Sequence, residues 1–354
     1  MNTCIKNGEK WYDVDGKPIC VQFPHFIYHN NKYYLYGSNK EFTDGKTGFW
    51  HWGIKMYESN DLYNWKEVGI IIPPDTENEK SPLYPRNMMD APRIIYNEKT
   101  KKWVCWIEDM HVKAMYALTS DSLFGPYKMV GDGFNPFGFT VGDFDLACDE
   151  NGKGYVYFNF PHTEIIFGEL TDDFTRVKGE YKVFLKHPES VPFNRESPTY
   201  FNRNGKHYLI TSGTTGYYPN PSEVAVSNSP YGPFENMGDP HIDDNSKTSF
   251  HSQIRSVFKV PNKKDLYIAV ADRWLPDFMH IPYEKYEDWF LTYYHESTPE
   301  EKDRVLKEAK EYSGLDGFYS FDISKAQYVI LPITFDGDKP IIHWRDSWSL
   351  DEFE

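Results

Sequence analysis

The sequence lacks the features that would indicate export, membrane insertion or nucleic-acid binding. Its first ten residues contain no apolar core of the kind that a secretory signal carries, and no apolar run is long enough to span a bilayer. Lys and Arg number 38 against 53 Asp and Glu, which gives a formal net charge of −15. Because clustered basic side chains bind phosphate backbones, this balance argues against a nucleic-acid partner. We therefore expect a cytoplasmic protein with neither a nucleic-acid nor a membrane partner.

Cysteine is also scarce and forms no recognisable motif. The four cysteines lie far apart in the sequence, at Cys4, Cys20, Cys105 and Cys148. Zinc sites and redox motifs need closely paired cysteines, and this sequence contains no such pair. We therefore expect four reduced or buried thiols.

Aromatic residues, in contrast, are abundant. They make up 18% of the 354 residues, with 27 Tyr and 10 Trp. Aromatic side chains favour β-strands, so this composition is typical of a β-rich protein. Flat aromatic faces also stack on sugar rings, so a carbohydrate site is a second explanation. The composition is compatible with both.

Five stretches of the sequence share one plan, in which a short apolar strand, a polar turn and a second apolar strand follow one another. The second strands are residues 33–36, 103–106, 155–158, 207–210 and 266–270. Most units continue to a third strand. The clearest hairpin is residues 199–210, where Asn204-Gly205 lies between two apolar strands.

Antiparallel units that repeat about every 50 to 70 residues are typical of propeller blades. No linker rich in Ser, Gly or Pro interrupts the series. We therefore predict an all-β protein, in which residues 1–354 form a single five-bladed β-propeller catalytic domain.

One segment does not follow the strand pattern. Residues from about 298 to 313 predict a helix, with Thr298 as N-cap, Pro299 in the first turn, Glu301 completing a capping box and Gly314 past the end. We expect this helix to be an insertion in the last blade. Its charged face predicts a solvated surface, and a lid or an oligomer contact is the alternative.

The chemistry is expected at the heads of the five units, because the innermost strands of a propeller begin near its central axis. The residues at these heads are Phe23, Asp90, Asp143, Glu196 and Gln253. Three carboxylates that converge on one axis repel each other and are partly desolvated, which raises the pKa of at least one of them. A carboxyl that stays protonated near neutral pH is what a general acid for glycosidic cleavage needs.

Several phrases of the sequence resemble glycoside hydrolase family 43. They are Arg195-Glu196-Ser197-Pro198, the run from Asp143 to Gly152, the run from Thr214 to Asn220, and Asp272-Arg273-Trp274. The order of these phrases is most similar to the β-galactosidase and exo-β-1,3-galactanase branch of the family. The resemblance runs along nearly the whole chain.

The resemblance implies a five-bladed propeller that hydrolyses an oligosaccharide with inversion, and it implies a role for three carboxylates. Glu196 stands where the family has its general acid. Asp143 matches the acid that orients this group and tunes its pKa. Asp90 stands where the galactanase-like branch has a Glu that contacts sugar hydroxyls.

The sequence departs from the family pattern at the first unit. Most members have an Asp-Pro dipeptide there whose Asp is the general base, and this chain has Phe23-Pro24. The galactanase-like branch lacks that Asp and is thought to use a glutamine, which Gln253 matches. We therefore predict that Gln253 holds the attacking water or takes its proton, and the alternative is that it only forms a hydrogen bond to a neighbouring blade. This role predicts a separation of about 6.5 to 9.5 Å between the amide of Gln253 and the carboxyl of Glu196.

Further candidates for binding follow from the same comparison of residues. Trp274, Tyr217 and Trp50 are candidate platforms for sugar rings, with burial in the core as the alternative, and Arg273 is a candidate substrate ligand. His251 matches an axial histidine that lies near a calcium ion or a water in many members of the family. A structural calcium site and a purely hydrogen-bonded histidine therefore stay open, and no cofactor is required for the chemistry.

The function predicted from the sequence is that of an inverting exo-glycosidase that removes terminal β-D-galactosyl units. One alternative is the α-L-arabinofuranosidase or β-xylosidase activity that is common in the family. The other is a carbohydrate-binding propeller without catalytic activity, because Phe23 replaces the usual base.

Overall fold

The computed structural model describes residues 1–159, 162–188, 190–314 and 321–354. Within these ranges, twenty of the strands form five four-stranded sheets, which are the blades. A short strand, β1 (Ile5–Lys6), precedes the first blade. Blade one contains β2 (Val21–His29), β3 (Lys32–Asn39), β4 (Ile54–Ser59) and β5 (Lys66–Ile72). Blade two contains β6 (Met89–Asn97), β7 (Lys102–Asp109), β8 (Ala114–Ser120) and β9 (Lys128–Met129).

The other three blades follow in chain order. Blade three contains β10 (Phe144–Cys148), β11 (Gly154–Asn159), β12 (Ile165–Leu170) and β13 (Val177–Phe184). Blade four contains β14 (Arg195–Arg203), β15 (Lys206–Gly213), β16 (Ser222–Ser227) and β17 (Glu235–Gly238). Blade five contains β18 (Gln253–Lys259), β19 (Tyr267–Arg273), β20 (Gln327–Asp336) and β21 (Lys339–Ile342). In each blade the strands are neighbours in sequence order, and the prediction of five blades is confirmed.

The hairpin of blade four shows how local sequence sets the pairing of these strands. Asn204 and Gly205 both have positive φ, 51° and 76°, as the tight turn of a two-residue hairpin requires. The turn aligns Phe201 of β14 opposite Tyr208 of β15, and their rings stack with centroids 4.6 Å apart. A slip of one residue would move every side chain to the other face of the sheet, so the turn and the aromatic pair together fix the register.

Much of the aromatic content lies between neighbouring blades. Tyr157 of blade three stacks on Tyr200 of blade four with centroids 4.8 Å apart and an angle of 11° between the rings. Phe201 of blade four packs against Tyr267 of blade five at 5.7 Å. Because large rings bury much apolar area per residue, such contacts hold adjacent sheets face to face around the axis.

The two ends of the chain meet beside blade five. Strand β1 pairs antiparallel with β22 (Ser347–Trp348). The side chain of Asn7 accepts a 2.6 Å hydrogen bond from the backbone N–H of Ile330 in β20 and donates a 2.8 Å bond to the carbonyl of Arg345. The N-terminal segment is therefore fastened to the third strand of the last blade.

A helical insertion lies between β19 and β20 of the last blade. The predicted helix is α2 (Pro299–Ser313), which has the expected capping box and ends at Gly314 in the left-handed conformation. A second helix, α1 (Tyr283–Tyr294), lies just before it and was not predicted. It begins after Pro282 without a side-chain cap, so it carries no N-terminal signal in the sequence. Its buried face packs on the propeller core.

Two further observations concern the described residues. No helix among them is both long enough and apolar enough to cross a membrane. All four cysteines are free thiols, of which Cys20 and Cys105 are buried, Cys4 is partly buried and Cys148 is exposed.

Candidate active site

A cavity of about 650 Å³ lies where the heads of the five blades meet. This volume is within the range of small-molecule sites. All five blades contribute lining residues, which include Phe23, Trp50, Asp90, Glu108, Asp143, Glu196, Gln253, Arg255 and Trp274. The structure thus brings together the five predicted head residues, and Trp50, Trp274 and Tyr217 line the cavity with them.

Irregular pairing at the strand heads directs two of the carboxylates. The register shifts between Asp90 and Arg93 in blade two and between Glu196 and Thr199 in blade four. The residue after each acid has a positive φ, 46° at Ala91 and 54° at Ser197. Such a bulge bends the strand locally and re-aims a side chain. Each of the two acids therefore lies beside a bulge in its strand and lines the cavity.

Glu196 is the carboxyl whose protonation fits a general acid. Burial raises its pKa to about 8, and the negative charge of Asp143 adds to the shift. The charge of Arg255 and a hydrogen bond from Gln253 oppose the shift only in part. The carboxyl is therefore largely protonated at neutral pH and can donate a proton to a leaving oxygen.

Asp143 stays ionised in the same cavity because it is paired with Arg255. Burial acts to raise the pKa of Asp143, but the charge and hydrogen bonds of Arg255 outweigh it, so the pKa is lowered. Arg255 Nη2 lies 2.7 Å from Asp143 Oδ1, and the guanidinium is almost completely buried. Two carboxyls in one cavity are thus held in opposite protonation states, the arrangement that acid catalysis by one of them needs.

Gln253 lies next to Glu196, and the predicted separation of 6.5 to 9.5 Å is wrong. Gln253 Nε2 donates hydrogen bonds to Glu196 Oε1 at 3.2 Å and to Ser212 Oγ at 2.8 Å. Its Oε1 accepts from Arg255 Nη1 at 3.2 Å and from Trp274 Nε1 at 3.0 Å. An amide side chain has two N–H donors and two acceptor lone pairs, so these four bonds use its full capacity. Because blades four and five are neighbours, their heads touch rather than face each other across the cavity.

Asp90 is held by two donors from blade one. Lys40 Nζ lies 2.7 Å from Asp90 Oδ1, and Trp50 Nε1 donates to Oδ2 at 2.9 Å. Burial raises the pKa of Asp90 and lowers that of Lys40, and the contact between the two charges opposes both shifts. Lys40 also lies 4.4 Å from the centre of the Trp50 ring. Asp90 is thus oriented with lone pairs that remain available to sugar hydroxyls.

Glu108 also lines the cavity, although it was not predicted as a site residue from the sequence. It lies on β7 directly opposite Asp90, and its buried Oε2 has no hydrogen-bond partner among the described residues. Burial raises the pKa of Glu108 well above its ordinary value, and the charges of Asp143 and Asp90 add to this shift. The signal available in the sequence was a charged residue that ends the apolar run Trp103–Ile107, two residues beyond the predicted strand.

The position of the usual general base is filled by an aromatic ring. Phe23 packs edge-on against Trp274 with centroids 5.1 Å apart, and the guanidinium carbon of Arg255 lies 4.3 Å from its centroid. Trp274 is only 4% exposed, and its ring contacts Tyr217 at 5.1 Å. These rings form an apolar part of the cavity wall, and the ring of Trp50 lies 6.3 Å from that of Tyr217.

Arg273 lies outside this cavity, so its predicted contact with sugar there is corrected. Successive residues of a strand point to opposite sides, and Trp274 faces the cavity while Arg273 points away from it. Arg273 Nη2 donates to the carbonyl of Phe250 at 2.9 Å, and its guanidinium carbon lies 5.3 Å from the centre of the Trp344 ring. Arg273 therefore joins the loop before β18 to blade five.

The surroundings of His251 do not fit a calcium ion. Burial and the positive charge of Arg273 lower the pKa of His251, and in the part of the chain that the structure describes Nδ1 has no hydrogen-bond partner. Calcium prefers several oxygen ligands, usually with carboxylates among them. In the described part of the chain, no group of three or more His, Cys, Asp or Glu side chains could hold a metal ion.

The chain is similar to known proteins both in sequence and in structure. The family model for glycosyl hydrolases family 43 matches residues 16–274. A solved β-1,3-galactosidase of that family is 27% identical with a TM-score of 0.78, and the match covers 100% of this chain and 65% of that protein. A second solved β-1,3-galactosidase, with galactodeoxynojirimycin, is 23% identical with a TM-score of 0.76, covering 98% of this chain and 100% of that one.

A curated relative with a different printed activity is also similar. The xylan 1,3-β-xylosidase of a Vibrio species is 24% identical over 207 residues, which are 52% of this chain and 36% of that protein. The chain thus spans about a third of the length of that relative and about two thirds of the first galactosidase. Because the family model matches well over half of the sequence, the chain belongs to glycosyl hydrolases family 43.

Proposed function

We propose that the chain is an inverting exo-glycoside hydrolase that removes terminal β-D-galactosyl units from oligosaccharides. The observation that carries the proposal is the buried carboxyl of Glu196, whose pKa is raised to about 8 and which shares one cavity with the ion pair of Asp143 and Arg255. The similarity to a β-1,3-galactosidase supports galactose as the sugar.

Glu196 is the proposed general acid. Gln253 donates a hydrogen bond to Glu196 Oε1, which keeps that oxygen an acceptor and leaves the carboxyl proton on Oε2. The proton passes from Oε2 to the leaving oxygen while the bond from that oxygen to the anomeric carbon breaks. Gln253 is thus proposed as a positioning residue for the acid, and Asp143 as the charge that keeps the acid protonated.

Glu108 is the proposed proton acceptor for the attacking water. It belongs to blade two, which is not adjacent to blade four in a ring of five, so it lies across the axis from Glu196. Its Oε2, to which no described residue donates a hydrogen bond, can accept the proton of a water whose oxygen bonds to the anomeric carbon. Because the pKa of Glu108 is raised, only a fraction of the molecules at neutral pH has Glu108 ionised and Glu196 protonated, and this fraction is the reactive form. Proton exchange with solvent restores it after each turnover.

A panel of 4-nitrophenyl glycosides tests the reaction. We expect hydrolysis of the β-D-galactoside, with the α-anomer of galactose appearing first in proton NMR. Faster hydrolysis of the α-L-arabinofuranoside or β-D-xyloside would assign the pentosidase activity that the Vibrio relative suggests. Saturable binding of galactosides without hydrolysis of any substrate would instead indicate a silent carbohydrate-binding propeller.

Two variants separate the candidate acceptors of the water proton. Glu108→Ala removes the carboxylate and leaves space, so we expect turnover to fall by orders of magnitude and azide to restore it with formation of the α-galactosyl azide. Gln253→Ala should lower activity by disordering Glu196, with no rescue by azide. If azide rescues only the Gln253 variant, the glutamine is the group that serves the water and Glu108 is not.

A further inference from the structure

The helical insertion supplies part of the cavity wall. Phe290 and Tyr294, on the last turns of α1, line the cavity together with Val191 from the loop before β14. We call these three residues the mouth wall. Phe290 is 1% exposed, whereas Tyr294 is 45% exposed and its ring stacks on Phe290 with centroids 5.8 Å apart. The mouth wall therefore has a buried base and an accessible aromatic tip.

Two sets of contacts hold the mouth wall in place, one between the end of α1 and the loop before β14 and one between α1 and α2. His295, which follows α1, places Nε2 3.1 Å from the carbonyl oxygen of Val191 and so ties the helix end to the loop. Within the insertion, Trp289 donates a hydrogen bond to Glu308 of α2 at 3.2 Å, and Lys285 forms an ion pair with the same carboxylate. A surface fixed in this way loses little entropy when it binds a ligand.

The mouth wall lies on the side of the general acid. Val191 is five residues ahead of Glu196, and the backbone N–H of Asn194 bonds back to the carbonyl of Ser190, which keeps the loop close to the head of β14. In the proposed reaction, Glu196 protonates the oxygen that departs with the leaving group. The leaving group must therefore occupy the side of the cavity where Glu196 and the mouth wall meet.

We propose that the mouth wall is the subsite for the leaving group, where the ring of Tyr294 stacks on the sugar next to the cleaved bond. The proposal rests on the proposed function and deepens it. An amphipathic aromatic ring offers a large apolar face at low conformational cost, and the C–H face of a pyranose is its natural counterpart. The polar residues at the bottom of the cavity bind the terminal galactosyl unit, and the insertion favours substrates that continue with a second sugar.

The test compares two substrates that differ only in the leaving group. β-Galactosyl fluoride has no ring beyond the cleaved bond, and galactosyl-β-1,3-galactose has one. For Tyr294→Ala we expect kcat/KM to fall about tenfold on the disaccharide and to change less than twofold on the fluoride. Tyr294→Phe should keep both values, because stacking needs the ring and not the hydroxyl. Tyr181→Ala is the matched control, since Tyr181 is also 45% exposed but lies on β13 outside the cavity.

Other outcomes of this test would overturn the proposal. Equal loss of kcat/KM on both substrates would show that Tyr294 only supports the fold of the site, and no loss on either would show that the ring makes no contact with substrate; both overturn the subsite. Thermal unfolding of the variants identifies a general loss of stability. If the unchanged protein cleaves neither substrate, the proposed function itself fails, and the subsite fails with it.

Discussion

Replacing Asp143 by Asn tests the electrostatic argument for the general acid. Asp143 is ionised, and its negative charge is the second cause, after burial, of the raised pKa of Glu196. At an effective dielectric constant of about 20, two unit charges repel each other by about 4 kcal/mol at 4 Å and about 2 kcal/mol at 8 Å, so a charge in the same cavity contributes roughly two pKa units. The substitution also frees the charge of Arg255, which lowers the pKa of Glu196 further. We therefore expect the pKa of Glu196 to fall from about 8 by at least about two units.

The assay is the pH dependence of kcat/KM on an unactivated disaccharide, which requires protonation of the leaving oxygen. In the unchanged protein, activity should decline as the pH rises through about 8, because Glu196 loses its proton there. In Asp143→Asn the same decline should begin about two pH units lower. An aryl galactoside with a good leaving group should show a weaker effect.

A control variant distinguishes this effect from a general change in charge. Asp172 lies in the same blade, but it is exposed and paired with Lys99 and Lys178 at the surface. Asp172→Asn should leave the alkaline limb of the profile unchanged. An unchanged alkaline limb in Asp143→Asn as well, with disaccharide activity retained, would refute the assignment of the pKa shift to Asp143.

Three further predictions concern stability. Lys40→Met leaves Asp90 buried without its ion partner, so we expect the free energy of unfolding, measured with urea, to fall by about 3 kcal/mol. An unchanged free energy of unfolding would show that the pair contributes nothing to stability. Glu196→Gln should raise the melting temperature more at pH 9 than at pH 5. Glu196 keeps its proton up to about pH 8 in the folded protein but releases it near pH 4.5 in the unfolded chain, so the stability of the unchanged protein falls as the pH rises from 4.5 to 8. An equal rise in melting temperature at pH 5 and pH 9 would contradict this. Gly205→Ala should cost about 1 kcal/mol from its φ of 76° alone, since no atom of the described residues lies within 4 Å of the added methyl, and a neutral result would argue against this turn.

The blades and one helix were predictable because their signals are local. Short apolar runs between polar turns indicate the strands, and the Asn204-Gly205 pair defines a turn through the positive φ of its two residues. The helix α2 followed from its capping box and the glycine after its end. Helix α1 has no such signal, and it is helical because its buried aromatic face packs on the propeller core.

For the site, the sequence by itself determined which blade heads carry Asp90, Asp143 and Glu196, because the repeat places each head at the axis. Only the tertiary structure decided the partners of these residues, since Lys40 and Arg255 reach them from other blades. The distance from Gln253 to Glu196 depends on which blades are neighbours in the closed ring, and Glu108 enters the cavity only because β7 lies beside the head of β6. A repeat in the sequence gives the order of the blades, whereas distances across the axis arise only when the ring closes.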